Sequence, residues 1–350
     1  MATRTEIDRS VGEGGNATPK LRGAVLDVAG VALFAALVGW TILAGTVSGD
    51  DPALVSGLVA VSGMGVLVGR VAGIRSGFII PAALGAAALV LIVRSPDDLV
   101  GSGPLGGPFG YANATGAFLA QAAIAGVIIG VSGRWVALRV VGWAAAIGFG
   151  TVVFGSGSMA AFALVVALPL VALAVSRWLS PRVAVGLMAG LFATALAATI
   201  VVGATYPSDG SAEPGIIERT VGERRAVLWR DAVDIMAEEP LTGAGIGSFQ
   251  RLSPTAVDDA DARWAHNEFL EVGAETGFPG LILLVLAFAW VFARLWMGPP
   301  DSVAALGAAA AAAIGIHASI DYVLHFPAIP IAAAALIGST TAWNRRSGGR

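Results

Sequence analysis

Apolar residues fill the chain in long blocks. Ten runs, near 24–46, 53–70, 77–93, 112–132, 135–154, 158–176, 183–203, 278–297, 302–320 and 326–343, approach or reach the roughly 20 mainly apolar residues that a spanning helix needs. The second and the last are the least complete. Gly and Ala crowd all ten, as close helix packing in lipid favours. Polar residues collect in two places. One is the N-terminal "MATRTEIDRSVGEGGNATPKLRG", expected to be disordered. The apolar run after it is too long for a signal peptide and reads as the first span. The other is residues 204–277, which hold 14 of the 24 acidic and six of the 21 basic residues. The expected fold is all-α: a polytopic membrane bundle of about ten helices with one large loop carrying short amphipathic helices. Its expected divisions are 1–23 (N-terminus), 24–203 (first bundle), 204–277 (loop), 278–343 (last spans) and 344–350 (tail).

Composition agrees. The chain is 13% charged, where soluble domains carry about 25%. There is no cysteine, so disulfide and thiolate chemistry are excluded. The net charge of −3 gives no sign of a nucleic-acid partner. Arginine outnumbers lysine 20 to one, and with abundant Ala, Gly and Val this points to a GC-rich bacterial coding sequence.

Charge also orients the chain. If 204–277 faces outward, both termini and the 70–76, 133–139, 177–182 and 294–301 joints are cytoplasmic. Those segments hold 14 basic residues, whereas the short outward loops hold only Arg94, together with Asp50, Asp51, Asp97 and Asp98. The long loop is therefore expected on the outer face of a cytoplasmic membrane. His266, His317 and His325, the three histidines, then gather on that side, with Asp321 between the last two.

Three stretches of the loop carry candidate chemistry. "ERRAVLWRDAVDIMAEEP" (223–240) is amphipathic at helical period, and the expectation is an interfacial helix with Trp229 at headgroup level. Arg225 lies one turn from Trp229 and is placed to reach a lipid phosphate, which a guanidinium grips in bidentate fashion. The plainer reading is an interfacial helix with its basic end near headgroups. "GAGIGSF" (243–249) reads as a tight structural turn, since no Lys-Ser/Thr follows to make a nucleotide loop. "ARWAHNEFLEVGAETGFPG" (262–280) reads as a helix over 262–276 ended by Gly277, with Pro279 starting the next span. Arg263 and His266 then share a pocket where the imidazole can orient or deprotonate a hydroxyl, although a lone histidine is more often structural. His317, Asp321 and His325 fall at i, i+4 and i+8. A His317–Asp321 pair closing the helix end competes there with a metal site completed by His266.

The combination "RAVLW" (225–229), "EEPLTGAGIGSF" (238–249) and "AHNEFLEVGAETGFPG" (265–280) resembles the O-antigen ligase and polymerase superfamily of bacterial membrane glycosyltransferases. Two looser likenesses flank it, "FGYANATGAFLAQ" (109–121), which contains Asn113, and "HASIDYVLHFP" (317–327). The resemblance implies a GT-C-like bundle of helices with a large outer loop. It implies transfer of a glycan from a polyprenyl (undecaprenyl) diphosphate to a hydroxyl on a glycan, lipid or protein, without metal, cofactor or nucleotide sugar. By the same resemblance His266 matches the acceptor-activating histidine and Arg225 a diphosphate-binding arginine. Arg224 and Arg263 are further candidates for the diphosphate, and Asn267, Glu268, Trp229, Asn113, His317 and Asp321 for supporting roles. One departure stands out. Many members carry Ser-Arg-Gly at the start of a middle span, where this chain has "FGSGSMAAF" (154–162), with no arginine, so that one phosphate contact is either absent or falls to Arg224, Arg230 or Arg263. A flippase or transporter of lipid-linked glycan and a metal-dependent membrane hydrolase are the alternatives.

Overall fold

The computed structural model describes residues 4–95, 106–207, 222–258 and 262–342, with side chains from Gly23 onward. The tail 344–350, the outward-loop residues Asp97 and Asp98, and residues 208–221 of the long loop lie outside the described residues. The described residues form helices and connecting turns. In chain order these are α1 (Arg4–Ser48), α2 (Ala53–Arg75), α3 (Ile79–Arg94), α4 (Ala112–Ser132), α5 (Val136–Gly155), α6 (Met159–Trp178) and α7 (Pro181–Thr205). There follow α8 (Glu223–Glu238), the short α9 (Phe249–Leu252) and α10 (Pro254–Asp258), α11 (Glu268–Trp296), α12 (Ser302–Ala318), a 3-10 turn η1 (Val323–His325) and α13 (Ala328–Thr340).

Among the described residues seven helices are long and apolar enough to cross a membrane: α1 from Gly23, α2, α4, α5, α6, α7 and α11. The apolar α3, α12 and α13 are shorter. The second run, 53–70, therefore forms a full-length apolar helix, while the last forms only 13 residues of α-helix. Valines, leucines and isoleucines such as Val136, Val140, Ile147 and Leu170 face outward from the bundle. That is the arrangement lipid tails reward and water penalises.

α4 and α12 form the centre. Almost all of α4 is buried, and α12 is a run of buried alanines from Ala304 to Ala313, interrupted by Leu306 and Gly307. Small residues allow the backbones to approach closely. On α4, Gly126 faces the backbone of Gly142 and Ala146 on α5, and a Cβ there would sit 2.7 Å from the Ala146 nitrogen. Polar side chains start several helices in the expected way. Ser180 accepts from Val183 N ahead of Pro181, and Asp301 accepts from Ala304 N.

Two elements depart from the sequence expectation. The backbone of 4–22 continues α1 as helix where disorder is expected. Extending an existing helix costs less than nucleating one, and the apolar part of α1 supplies the nucleus. The expected helix over 262–276 begins instead at Glu268, because Asn267 caps it by accepting from Phe269 N and Leu270 N at 3.1 Å each. Its expected stop at Gly277 is present as a break, with φ 72 and ψ 179, beyond which α11 continues as the next apolar helix. A Cβ at Gly277 would collide with the backbone carbonyls of Pro240 and Leu241. The glycine turn 243–247 docks at this break, with Ala244 N donating to Ala274 O and Gly245 N to Glu275 O. Gly243, Gly245 and Gly247 all have positive φ, as a tight turn there requires.

Candidate functional site

The loop elements pack on α7, on α11 and on one another. α8 packs on α7 and α11 through its apolar stripe of Leu228, Trp229, Ala232, Ile235 and Met236. Trp229 is not at a headgroup surface. It is fully buried, and its indole Nε1 donates to the backbone oxygen of His266 at 3.1 Å. The apolar stripe covers protein rather than lipid because residues 262–267 and the start of α11 lie over it.

His266 sits in the extended stretch before α11 and has φ 50, the one positive φ outside glycine among the described residues. Such backbone costs energy and persists where the surroundings enforce it. Here the Trp229 bond holds the carbonyl from behind, and Asn267 begins α11 immediately after. The result turns the imidazole away from α11 and towards Asp321. His266 therefore does not share a helical face with Phe269, Leu270 and Gly273, as a helix from 262 would have placed it.

Asp321 is the hub. Its side chain is 1% exposed. It accepts from Tyr111 Oη at 2.8 and 2.7 Å, from Arg225 Nη2 at 3.2 Å, from its neighbour Tyr322 N at 2.8 Å, and from Asn113 Nδ2. His266 Nδ1 lies 3.2 Å from Asp321 Oδ1. Burial pushes the carboxyl up. The hydrogen bond from His266 and the charge of Arg225 outweigh that and hold Asp321 down at about 2. An ionised carboxylate only accepts, so the shared proton sits on His266 Nδ1, and the Nε2 lone pair is left for another partner. With Asp321 sealed, the exposed edges of the cluster are His266, 17% exposed, and Arg225, 29% exposed.

A second layer fixes this arrangement. Asn113 also donates to Tyr111 Oη at 3.0 Å, and Ser158 Oγ donates to Asn113 Oδ1 at 2.7 Å. Tyr322 meets the His266 ring edge-on at 4.8 Å and stacks on Tyr111 at 4.7 Å. Burial, with the Asp321 charge adding to it, pushes the Tyr111 phenol far above its ordinary value, so it stays a neutral donor.

Glu268 and Glu271 hold the scaffold. Glu268 Oε1 accepts from Leu324 N at 2.6 Å and His325 N at 3.1 Å, and Glu271 accepts from Ala265 N at 2.8 Å. His325 Nε2 lies 3.5 Å from Glu268 and 3.3 Å from Glu271. Burial lowers the His325 imidazole, but the carboxylates of Glu268 and Glu271 outweigh it and push it up to about 10.

The structure thus brings together His266, Asp321, Arg225 and Asn113, with Trp229, Asn267 and Glu268 supporting them. Arg224 and Arg263 occupy exposed positions on α8 and on the segment before His266. The expected i, i+4 pairing of His317 with Asp321 gives way to the pairing of Asp321 with His266. α12 ends at Ala318, so Asp321 is off the helix, and His317 Nε2 is buried without a hydrogen-bond partner among the described residues. The three imidazoles do not converge either, since His325 is drawn to the glutamates. Among the described residues no group of three His, Asp or Glu side chains is arranged to hold a metal ion. Sequence reading missed Tyr111 and Ser158. Tyr111 stands just before Asn113 in the quoted "FGYANATGAFLAQ", and Ser158 lies in the stretch where the arginine is missing.

Comparison with known proteins fits this geometry. A protein-family model described as O-antigen ligase matches residues 143–285. The match runs from within α5 into α11 and contains Arg225, Trp229 and His266, while Asn113 and Asp321 lie outside it. No curated protein matches the chain. Over residues 143–285 the chain is thus similar to the O-antigen ligase family, and its bundle of apolar helices fits a membrane enzyme of surface polysaccharide assembly.

Proposed function

We propose that the protein transfers a glycan from polyprenyl diphosphate to an acceptor hydroxyl at the outer face of the membrane. The observation that carries this reading is the convergence of His266 and Arg225, the exposed edges of one cluster, on the buried Asp321. His266 Nε2 takes the proton of the acceptor hydroxyl as its oxygen bonds to the anomeric carbon. The bond from that carbon to the phosphate oxygen breaks, and the diphosphate leaves with the electron pair. Asp321 holds the imidazole in the tautomer that leaves Nε2 free and stabilises the imidazolium that forms. This is the role a buried carboxylate plays behind other histidine bases. Arg225 keeps further N–H donors beyond the one spent on Asp321, and these meet the charge growing on the diphosphate. Arg224, next to Arg225 in the chain, and Arg263, three residues before His266, add positive charge to the same loop. The 14-to-one bias of basic residues supports cytoplasmic termini and an outward site on the 204–277 loop, between the 24–203 bundle and the 278–343 helices.

The test is made in the native cell. The gene is deleted and restored as wild type or as His266→Ala, and surface polysaccharide and lipid-linked glycans are profiled together. Restoration by wild type alone is expected. Accumulation of single lipid-linked repeats then identifies a polymerase, and of long unattached chains a ligase. Full restoration by His266→Ala at normal protein level would overturn the assignment.

A further inference from the structure

A donor with its diphosphate at Arg225 must lay its polyprenyl tail along the bundle. Among the described residues, three of the concave apolar surfaces are candidates, and charge separates them. A groove of about 910 Å³ along α1 and α2 ends at Asp27 and Arg70. There Asp27 accepts from Arg70 at 2.8 Å and from Arg294 at 2.9 Å. The charge orientation puts these groups at the cytoplasmic end, away from the site. A cavity of about 230 Å³ is headed by Glu268, Glu271 and Glu275 with His325 as the one cation, and it would repel a diphosphate.

The third surface is a groove of about 460 Å³ between α4, α5 and α6, walled by Trp143, Ile147, Gly150, Phe154, Phe162 and Leu170. Its lip is Phe154 against Phe162, edge to face at 5.0 Å. Four residues beyond Phe154 is Ser158, whose hydroxyl bonds Asn113, which in turn bonds Asp321. Asn113 and Arg225 meet the same carboxylate oxygen, Oδ2. The Phe154 lip is thus linked through Ser158 and Asn113 to the Oδ2 side of Asp321, the side that holds the guanidinium. From Trp143 to Phe154 the α5 wall rises about 16 Å. That is about half the hydrocarbon thickness of a bilayer, the depth of one leaflet.

We infer that the α4–α5–α6 groove holds the first isoprenoid units of the donor, resting on the transferase reading above. The tail enters from the outer leaflet, passes the Phe154–Phe162 lip, and leaves the diphosphate at Arg225.

Gly150 supplies the test. A Cβ there meets nothing within 4 Å, so the side chain of Gly150→Leu starts in open space and adds bulk to the groove. Gly148 is equally unobstructed but is not part of the groove wall, so Gly148→Leu is the matched control. The full-length protein in nanodiscs is irradiated with undecaprenyl diphosphate carrying a benzophenone in its first isoprene units, and crosslinked peptides are mapped. Crosslinks on α5 and α6 are expected. Unlabelled undecaprenyl diphosphate should compete them away, Gly148→Leu and His266→Ala should keep them, and Gly150→Leu should reduce them about tenfold (about 1.4 kcal/mol). Competed crosslinks that map elsewhere and ignore Gly150→Leu would overturn the groove and leave the transferase standing. Absence of any competed crosslink would overturn the lipid-linked donor itself, and the groove with it.

Discussion

Asp321→Asn is the most informative single change. The amide replaces one acceptor oxygen with an N–H₂ that faces donors. If that group takes the Oδ1 position, it meets His266 Nδ1 and Tyr322 N. If it takes the Oδ2 position, it meets Arg225 and Asn113. Either way at least two donors lose their acceptor, and Arg225 loses its countercharge. The imidazole is no longer held in the tautomer that frees Nε2. A positioned base is worth about 10²–10⁴ in rate, so kcat should fall by that factor, or about 2.7–5.4 kcal/mol of barrier. Each buried donor left unsatisfied also costs about 1–3 kcal/mol of stability, so thermal unfolding must be followed alongside. The assay is glycan transfer from the native lipid-linked donor by purified protein in nanodiscs, with His266→Ala and the double variant completing a cycle. If the two residues act as a unit, the double variant is no slower than His266→Ala alone. Activity of Asp321→Asn within about threefold of wild type, or losses that multiply in the double variant, would refute the pairing as the source of catalysis.

Trp229→Phe keeps the aromatic bulk but removes the donor to His266 O. A loss of about 1 kcal/mol in stability is expected, with a larger fall in kcat than in donor affinity because the imidazole loosens. Gly277→Ala forces a side chain into φ 72 against the carbonyls of Pro240 and Leu241, and should lower stability by at least about 1–3 kcal/mol in thermal melts. His325 is raised from its ordinary value of 6.5 to about 10. Its stabilisation is therefore complete below about pH 6.5 and lost as pH rises through about 10. Melts across that window should show wild type losing more stability than His325→Gln, and equal slopes would sink the ion-pair account.

Much of this was legible in the chain. Ten apolar runs give ten apolar helices because burial in lipid imposes one secondary structure on them. Arg225 and His266 stand out because charged residues in a chain this apolar collect in one loop. The partner of His266 was harder to see. Asp321 and His317 are four apart, which on a helix would pair them, but the helix stops at Ala318 and the carboxylate turns to a residue 55 positions away. Tyr111 and Ser158 carry no charge and sit at helix ends, so only the tertiary fold reveals them. Trp229 reads as an interfacial anchor by its pattern. The pattern tells which face of α8 is apolar, not whether lipid or protein will cover it.

The Asp321 cluster draws on four stretches far apart in the chain, at residues 111–113, 225, 266 and 321–322. Synthesis delivers Asp321 after all of its long-range partners, with the C-terminal hairpin of α12 and α13. Until that hairpin inserts, His266 has no carboxylate to orient it and Arg225 has no counterion. A ribosome-bound or prematurely halted chain then carries the motif in its loop and remains inert. Completion of the cluster is thus timed by the placement of the last helices of the chain.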